Sequence, residues 1–132
     1  MSTQHPNEER LREGYAAFGR ADLDALRNEY FAPEIVWHTP GRSPLAGDFR
    51  GIDEVLASFG KLFELSGGTF TTELHDVLAN DEHAVALGVS RAQREGKTLE
   101  SRYAHVTHFR DGKLTESWFH PEDQYAVDEF WS

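Results

Sequence analysis

The chain has 132 residues, 39% of them hydrophobic and 12% aromatic, which suits one folded domain over residues 1–132. Its formal charge of −10 repels phosphate backbones and anionic lipid, so we expect no nucleic-acid and no membrane partner. The absence of cysteine excludes disulfides, thiol catalysis and cysteine-bound metal centres.

Apolar spacing predicts two helices at the start of the chain. The first spans residues 7–18, where apolar side chains recur at steps of three and four and so line one face. Asp22 can cap a second helix, and Pro33 prevents that helix from continuing. The two segments together should form a helical hairpin.

A strand and a third helix are predicted next. Residues 34–39 form a β-branched and aromatic run, as strands favour, and Pro40-Gly41 marks the turn that ends it. Residues 42–50 carry proline and glycine and are expected to form a loop. The helical period then returns over residues 51–65.

Beyond Gly68 the pattern changes from the helical period to strand alternation. Four strands are predicted, at residues 70–78, 83–94, 98–110 and 113–120. Residues 124–132 should form a short helix or an ordered tail. This order of elements belongs to the α+β class, with a curved antiparallel β-sheet wrapped over three helices from the N-terminal half and an internal pocket on its concave side.

Two residues are candidates for acid–base chemistry. His105 shares a strand face with apolar and aromatic residues, and its ordinary pKa lets either protonation state form near neutral pH. The alternative is a histidine packed in the core or at an interface. Asp123 lies where the last strand should leave the sheet, so its carboxylate could accept a proton or cap the terminal helix. These two roles of Asp123 do not exclude each other.

Aromatic side chains supply candidates for contacts with a ligand. The candidate substrate-binding residues are Tyr15, Trp37, His38, Phe59, Phe63, Tyr103 and Trp118. Core packing is the alternative for the aromatic members, and Tyr15 could instead donate a hydrogen bond to a substrate oxygen. Trp37 and His38 are adjacent on a strand and therefore point to opposite faces, and the alternation does not say which of them faces the pocket.

Alternation also sorts the side chains of the last strand. It places Leu114, Glu116, Trp118 and His120 on one face, and Thr115, Ser117 and Phe119 on the other. No metal site is expected, because His105 and His108 are three residues apart on a strand and so face opposite ways.

Several short segments resemble a known family. They are GRADLDAL at 19–26, VWHTPG at 36–41, PLAG at 44–47 and HVTHFRDGKL at 105–114. In element order and in these segments, the chain resembles the SnoaL-like branch of the nuclear transport factor 2-like superfamily, which includes ketosteroid isomerases and polyketide cyclases. The resemblance implies a cone-shaped barrel with a pocket at its open end, and a homodimer formed through the outer face of the sheet.

The resemblance also implies roles for individual residues. His105 matches a position that carries an oxyanion-stabilising aspartic acid in the isomerases and histidine in the cyclases, and Asp123 resembles the cyclase general base. Tyr15 lies near the isomerase tyrosine. His38 lies near the catalytic aspartate of the isomerases, and since that base is missing here, steroid isomerisation is disfavoured.

Two functions follow as alternatives, and whether the protein is an enzyme stays open between them. In the first, a cofactor-independent cyclase, isomerase or lyase acts on a small carbonyl compound. Asp123 removes a proton, and His105 stabilises the enolate oxygen. In the second, the same cavity holds a small hydrophobic ligand without turnover, or the protein serves as an accessory homodimer. Because residues 1–12 lack the apolar stretch of a secretory signal, we expect a cytoplasmic protein.

Overall fold

A computed structural model describes residues 5–132, which form one six-stranded sheet and the helices that cover it. In chain order the elements are α1 (Pro6–Gly19), α2 (Leu23–Ala25), a π-helical turn (Leu26–Tyr30), β1 (Phe31–Thr39), β2 (Gly47–Arg50), α3 (Ile52–Leu65), β3 (Thr71–Ala79), β4 (His83–Arg94), β5 (Lys97–Arg110), β6 (Lys113–Pro121) and α4 (Gln124–Trp131). The α+β class predicted from the sequence is confirmed.

The sheet has the strand order β2-β1-β6-β5-β4-β3. Strands β3 to β6 form an antiparallel meander, while β1 lies parallel to β6 and antiparallel to β2. Buried residues of α1, α3 and the inner sheet face form a common hydrophobic core, because the apolar stripe of each helix packs on that face. None of the helices within residues 5–132 is long and apolar enough to cross a bilayer.

The structure corrects the sequence prediction around the first strand. Residues 42–50 are not all loop, since β2 pairs antiparallel with β1. Strand β1 starts at Phe31 and so includes Pro33, which lies where the register with β6 shifts between Phe31 and Val36. An irregular stretch of strand tolerates proline because it leaves some backbone N–H groups without ladder partners.

A bulge in β6 changes which of its side chains face the interior. Phe109 of β5 pairs with Leu114, but the preceding His108 pairs with Glu116, so Thr115 is an extra residue in β6. Leu114 and Ser117 are therefore both buried on the inner face, at 1% and 0% exposure. The prediction that Leu114 shares a face with Glu116 is wrong for this reason.

Helix α4 closes one end of the molecule. Its Phe130 and Trp131 are both 3% exposed and form a second apolar cluster with side chains of β4, β5 and the loop after β1. The middle of the helix is tied to the same loop, because the Asp128 carboxylate accepts the backbone N–H of Arg42 at 3.1 Å. The helix thereby forms part of the wall of an internal cavity.

Candidate functional site

A cavity of about 180 Å³ lies between the inner sheet face and the helices. Its lining comes from α1, α3, α4 and the strands, and most of these side chains are aliphatic or aromatic. Over residues 5–132, no aspartate, glutamate, lysine or arginine belongs to this lining. The cavity is therefore suited to an uncharged ligand.

One wall of the cavity is aromatic. Trp37 of β1 packs edge-to-face on Phe59 of α3, with their ring centroids 4.9 Å apart, and Phe31 lies 5.6 Å from Trp37. All three are buried, and all three line the cavity. Inward alternation along β1 and the apolar stripe of α3 bring them together, because Trp37 and Phe59 point into the same space from opposite sides.

A chain of hydrogen bonds forms the polar part of the lining. The Tyr103 hydroxyl of β5 donates to the Tyr15 oxygen of α1 at 3.1 Å, and the Tyr15 hydroxyl is 2.8 Å from His105 Nδ1. His105 Nε2 is hydrogen-bonded to the Ser117 hydroxyl of β6. The imidazole also stacks on Phe119, with centroids 4.0 Å apart and planes 9° from parallel. His105 is thus held on both ring nitrogens and one ring face.

Burial keeps the members of this chain uncharged at neutral pH. It lowers the pKa of His105 to about 3. Burial raises the pKa of Tyr15 well above its ordinary value, with a further contribution from Tyr103. It also raises the pKa of Tyr103 to about 12, against the opposing effect of the hydrogen bond with Tyr15. The chain consequently offers neutral hydrogen-bonding groups and no ionised acid or base.

A row of hydroxyl groups crosses the sheet beside this chain. Thr72 of β3 pairs with Ser90 of β4, and Ser90 pairs with Ser101 of β5. All three line the cavity. Ser101 lies two residues before Tyr103 and faces the same side of β5. The row gives the cavity a second set of neutral donors and acceptors.

The structure brings five of the predicted site residues to one cavity. Tyr15, Trp37, Phe59, Tyr103 and His105 all belong to its lining. The question left open by strand alternation is thereby answered, since Trp37 points inward and His38 outward. Whether these side chains contact a substrate stays a prediction.

Asp123 does not line the cavity that His105 lines. Its carboxylate accepts the backbone N–H of Ala126 at 3.1 Å, and so it caps the N-terminus of α4. The side chain is on the surface. The expected acid–base pair is therefore not assembled, while the helix-capping alternative for Asp123 has direct geometric support.

Three other predicted contacts also lie outside the lining. Trp118 is on the outer sheet face, where it stacks on His38 with ring centroids 5.2 Å apart. Both nitrogens of His38 are within hydrogen-bonding distance of carboxylates, Asp48 at 2.6 Å and Glu116 at 2.7 Å. Phe63 packs behind the cavity against Phe18, at 5.0 Å.

Sequence reasoning did not select Phe119 and Ser117, which contact His105 in the structure. The β6 bulge turns them inward, and alternation counted from Leu114 does not foresee it. One signal was available, because unbroken alternation with Leu114 inside would also place the Glu116 carboxylate in the core. A buried and unpaired carboxylate is costly, so the sequence disfavoured the regular register.

Metal ligands are not clustered in the part of the chain that the structure describes. Among residues 5–132 there is no group of three or more His, Asp or Glu side chains that could hold a metal ion. The candidate site is therefore described by its apolar walls and its neutral polar groups alone.

Comparison with known proteins identifies relatives over most of the chain. The family model of the SnoaL-like domain matches residues 11–117. An uncharacterized protein of Mycobacterium tuberculosis is 38% identical over 123 residues, covering 92% of this chain and 93% of the relative. Bal32a, from a soil-derived mobile gene cassette, has a TM-score of 0.92 and 39% identity, covering 96% of this chain and 97% of its own. IdmH of Streptomyces antibioticus, a proposed polyketide cyclase, shares the fold with a TM-score of 0.75 at 20% identity, covering 93% and 96% of the two chains.

Proposed function

Because the chain belongs to the SnoaL-like family of the nuclear transport factor 2-like superfamily, we propose that its cavity binds a small, uncharged, oxygen-bearing compound. The observation that carries this proposal is the composition of the lining. Hydroxyl groups and a neutral imidazole meet there, while charged side chains of residues 5–132 stay outside. A carbonyl or hydroxyl compound with an apolar ring system fits this composition.

Charge is the first property of the ligand that the cavity selects. An ionised group entering the cavity would lose its hydration and find no counter-ion among the lining residues. Desolvating an unpaired charge costs far more than a neutral hydrogen bond returns, so a ligand that is ionised at neutral pH is disfavoured.

Size is the second property. An apolar cavity of roughly 150 Å³ is large enough to bind benzene. The cavity of about 180 Å³ is somewhat larger, so one ring or a small fused ring pair fits without rearrangement. Aromatic surface on Trp37 and Phe59 can pack against such a ring.

Calorimetric titration with two matched naphthalenes tests the proposal. At pH 7 we expect 2-acetylnaphthalene to bind, and its ionised analogue 2-naphthoate to bind at least roughly tenfold more weakly. The variant Ser90→Phe should abolish binding by filling the cavity, whereas Gln93→Phe, at an exposed position on the same strand, should leave binding intact. Equal affinity for the ketone and the carboxylate would contradict the proposal.

Catalysis is the second candidate function, as a cofactor-independent cyclase, isomerase or lyase. Two observations favour it, namely the fold shared with IdmH and the hydrogen bonds that link Tyr103, Tyr15 and His105. A tyrosine hydroxyl of this chain that turns its proton from its present partner toward the ligand can stabilise negative charge that develops on a carbonyl oxygen. Binding is the better supported function, because no carboxylate of residues 5–132 lines the cavity to remove a proton.

Deuterium exchange separates the two candidates. Proton NMR in D₂O follows loss of the methyl signal of 2-acetylnaphthalene, whose protons lie next to the carbonyl. An enzyme should accelerate this loss, and His105→Gln should remove the acceleration. Asp123→Asn should leave any acceleration unchanged, because Asp123 caps α4 outside the cavity. Exchange no faster than in buffer, at saturating ketone, supports binding alone.

A second copy of this chain is the proposed partner, through the outer sheet face. Val85, Leu87, Val106 and Trp118 lie on that face of β4, β5 and β6 and are only partly buried. A contiguous apolar surface of this kind commonly marks a protein interface. The family resemblance and the partial exposure of these side chains both support a homodimer.

A further inference from the structure

Gly88 occupies the middle of β4, directly beneath the ring of Tyr103. The two residues pair across β4 and β5, and Gly88 is buried. A Cβ atom added at Gly88 would lie 2.7 Å from the Tyr103 hydroxyl oxygen and 2.9 Å from Tyr103 Cζ. Both distances are shorter than van der Waals contact, so Tyr103 can lie where it does because residue 88 has no side chain.

The backbone at Gly88 does not itself require glycine. The residue is not among those with positive φ, and its pairing with Tyr103 on the β5 side is regular, while on the β3 side it pairs with Leu74 beside a bulge at His75. Glycine inside a strand is destabilising by roughly 0.5–1 kcal/mol relative to alanine, and it often marks a place where another group approaches closely. Here that group is a phenol ring, along with the Glu73 carbonyl oxygen at 2.9 Å from the same Cβ position.

Tyr103 is the member of the hydrogen-bonded chain best placed to meet a ligand. The Tyr15 hydroxyl already has neighbours on both sides, Tyr103 and His105, and His105 has partners at both ring nitrogens. The Tyr103 hydroxyl is hydrogen-bonded only to Tyr15 in this chain, so the lone pairs of its oxygen can accept a hydrogen bond from a ligand. Displacing the phenol would therefore change both the chain and the polar contact offered to the cavity.

We propose that Gly88 is a positioning residue for Tyr103. By leaving room for the phenol, it places the Tyr103 hydroxyl on Tyr15 and sets the preference of the pocket for ligands that carry a hydrogen-bonding oxygen. The effect on ligand preference rests on the proposed ligand-binding function. The placement of the Tyr103 phenol by Gly88 depends on the fold alone.

The test compares Gly88→Ala with the wild-type protein, using 2-naphthol and 2-methylnaphthalene as probes of equal shape. We expect the wild type to prefer 2-naphthol. Gly88→Ala should reduce that preference by about fivefold, the effect of one typical hydrogen bond, with little change for 2-methylnaphthalene. In a Tyr103→Phe background, Gly88→Ala should alter the preference no further. Gly60→Ala is the matched control, since that exposed helical glycine has no atom within 4 Å of an added Cβ.

Two results would overturn the inference. One is equal weakening of both probes by Gly88→Ala, and the other is a loss of preference that persists in the Tyr103→Phe background. A crystal structure of the variant gives a readout without any ligand. The distance from Tyr103 Oη to Tyr15 Oη, 3.1 Å in the wild type, should lengthen beyond hydrogen-bonding range, and an unchanged distance refutes the positioning role. If the wild type binds neither probe, the proposed function fails and this distance still decides the role of Gly88.

Failure of Gly88→Ala to fold is also informative. The double variant Gly88→Ala/Tyr103→Leu removes the ring that supplies the two Tyr103 contacts, so it should recover the fold. Recovery supports the inference. No recovery points to the Glu73 carbonyl as the source of the clash and overturns it.

Discussion

His38 and His105 lie on opposite faces of the same sheet and have opposite electrostatic surroundings. His105 has a hydroxyl group at each ring nitrogen, and burial without a counter-charge lowers its pKa to about 3. His38 has a carboxylate at each ring nitrogen. A neutral imidazole has one N–H, so bonding to two carboxylates requires the protonated ring.

Titration by NMR should distinguish these two histidines. Burial lowers the pKa of His38, but the hydrogen bonds with Glu116 and Asp48 outweigh that effect, and the net pKa is raised. We expect the His38 ring signals to titrate above the ordinary histidine range and the His105 signals to stay constant from pH 5 to 8. Glu116→Gln should lower the pKa of His38, and Glu100→Gln, at an exposed position of β5, should not. A His38 pKa unaffected by Glu116→Gln would show that the pair does not form in solution.

His105 should also make the protein sensitive to acid. The unfolded chain binds a proton at His105 below a pKa of about 6.5, while the folded state does so only near about 3. His105 therefore does not reduce the free energy of unfolding above pH 6.5. As the pH falls from 6.5 toward about 3, the free energy of unfolding decreases by up to about 1.4 kcal/mol per pH unit because of this residue. Urea unfolding at several pH values should show a shallower decline for His105→Gln than for wild type. If the free energy of unfolding fell equally steeply in both proteins between pH 6 and 4.5, the conclusion that His105 is neutral in the folded state would be contradicted.

Among the elements, α4 depends most visibly on a single side chain. The Asp123 carboxylate satisfies the N–H of Ala126, one of the backbone donors that a helix leaves unpaired at its start. Asp123→Ala should lower the free energy of unfolding by about 1 kcal/mol, and Asp123→Asn should retain most of the stability because asparagine is also a good cap. Thermal and urea unfolding measure this, with Glu122→Ala as the exposed neighbouring control. A catalytic base would differ in activity, because Asp123→Asn would then be inactive although it stays stable.

The elements also show how far sequence reasoning reaches. Strand β4 was predicted at its observed bounds, and β5 within one residue, because long alternation and the Asp111-Gly112 turn are local signals. Strand β2 was missed, since a four-residue strand owes its existence to pairing with β1 rather than to its own pattern. Alternation alone misses the β6 bulge, because the bulge lets Leu114 and Ser117, three residues apart, both face the interior while Glu116 stays outside.

The sequence predicts those site residues that lie on regular elements, and it does not predict those whose position depends on how the strands pair. Tyr15 and His105 were chosen from their places on regular elements, and both reach the cavity. Alternation without the bulge places Trp118 on the wrong face, and for Asp123 the sequence leaves both the helix cap and the general base open. A glycine inside a strand indicates that some group approaches closely, but that this group is Tyr103 follows only from the register of β4 and β5.

At the scale of the whole molecule, the proposed dimer predicts a concentration-dependent mass. Sedimentation velocity of the wild type should show about twice the monomer mass. Val106→Lys should shift it toward monomer by placing a charge in the centre of the outer face, because an unpaired charge in an interface is costly. Thr98→Lys, at an exposed position near the end of the same face of β5, is the control. A wild-type protein that is monomeric at high micromolar concentration would rule out this partner.

Two of the three tryptophans of the chain line the cavity, and the third lies on the outer face of the sheet. Trp37 and Trp131 line the cavity, while Trp118 stacks on His38 outside. The natural protein therefore carries two separate optical reporters. Quenching of the inner pair should follow cavity occupancy, and Trp118 emission should follow association and the charge on His38. With Trp118→Phe, ligand binding can be followed by emission alone, free of any signal from the outer face.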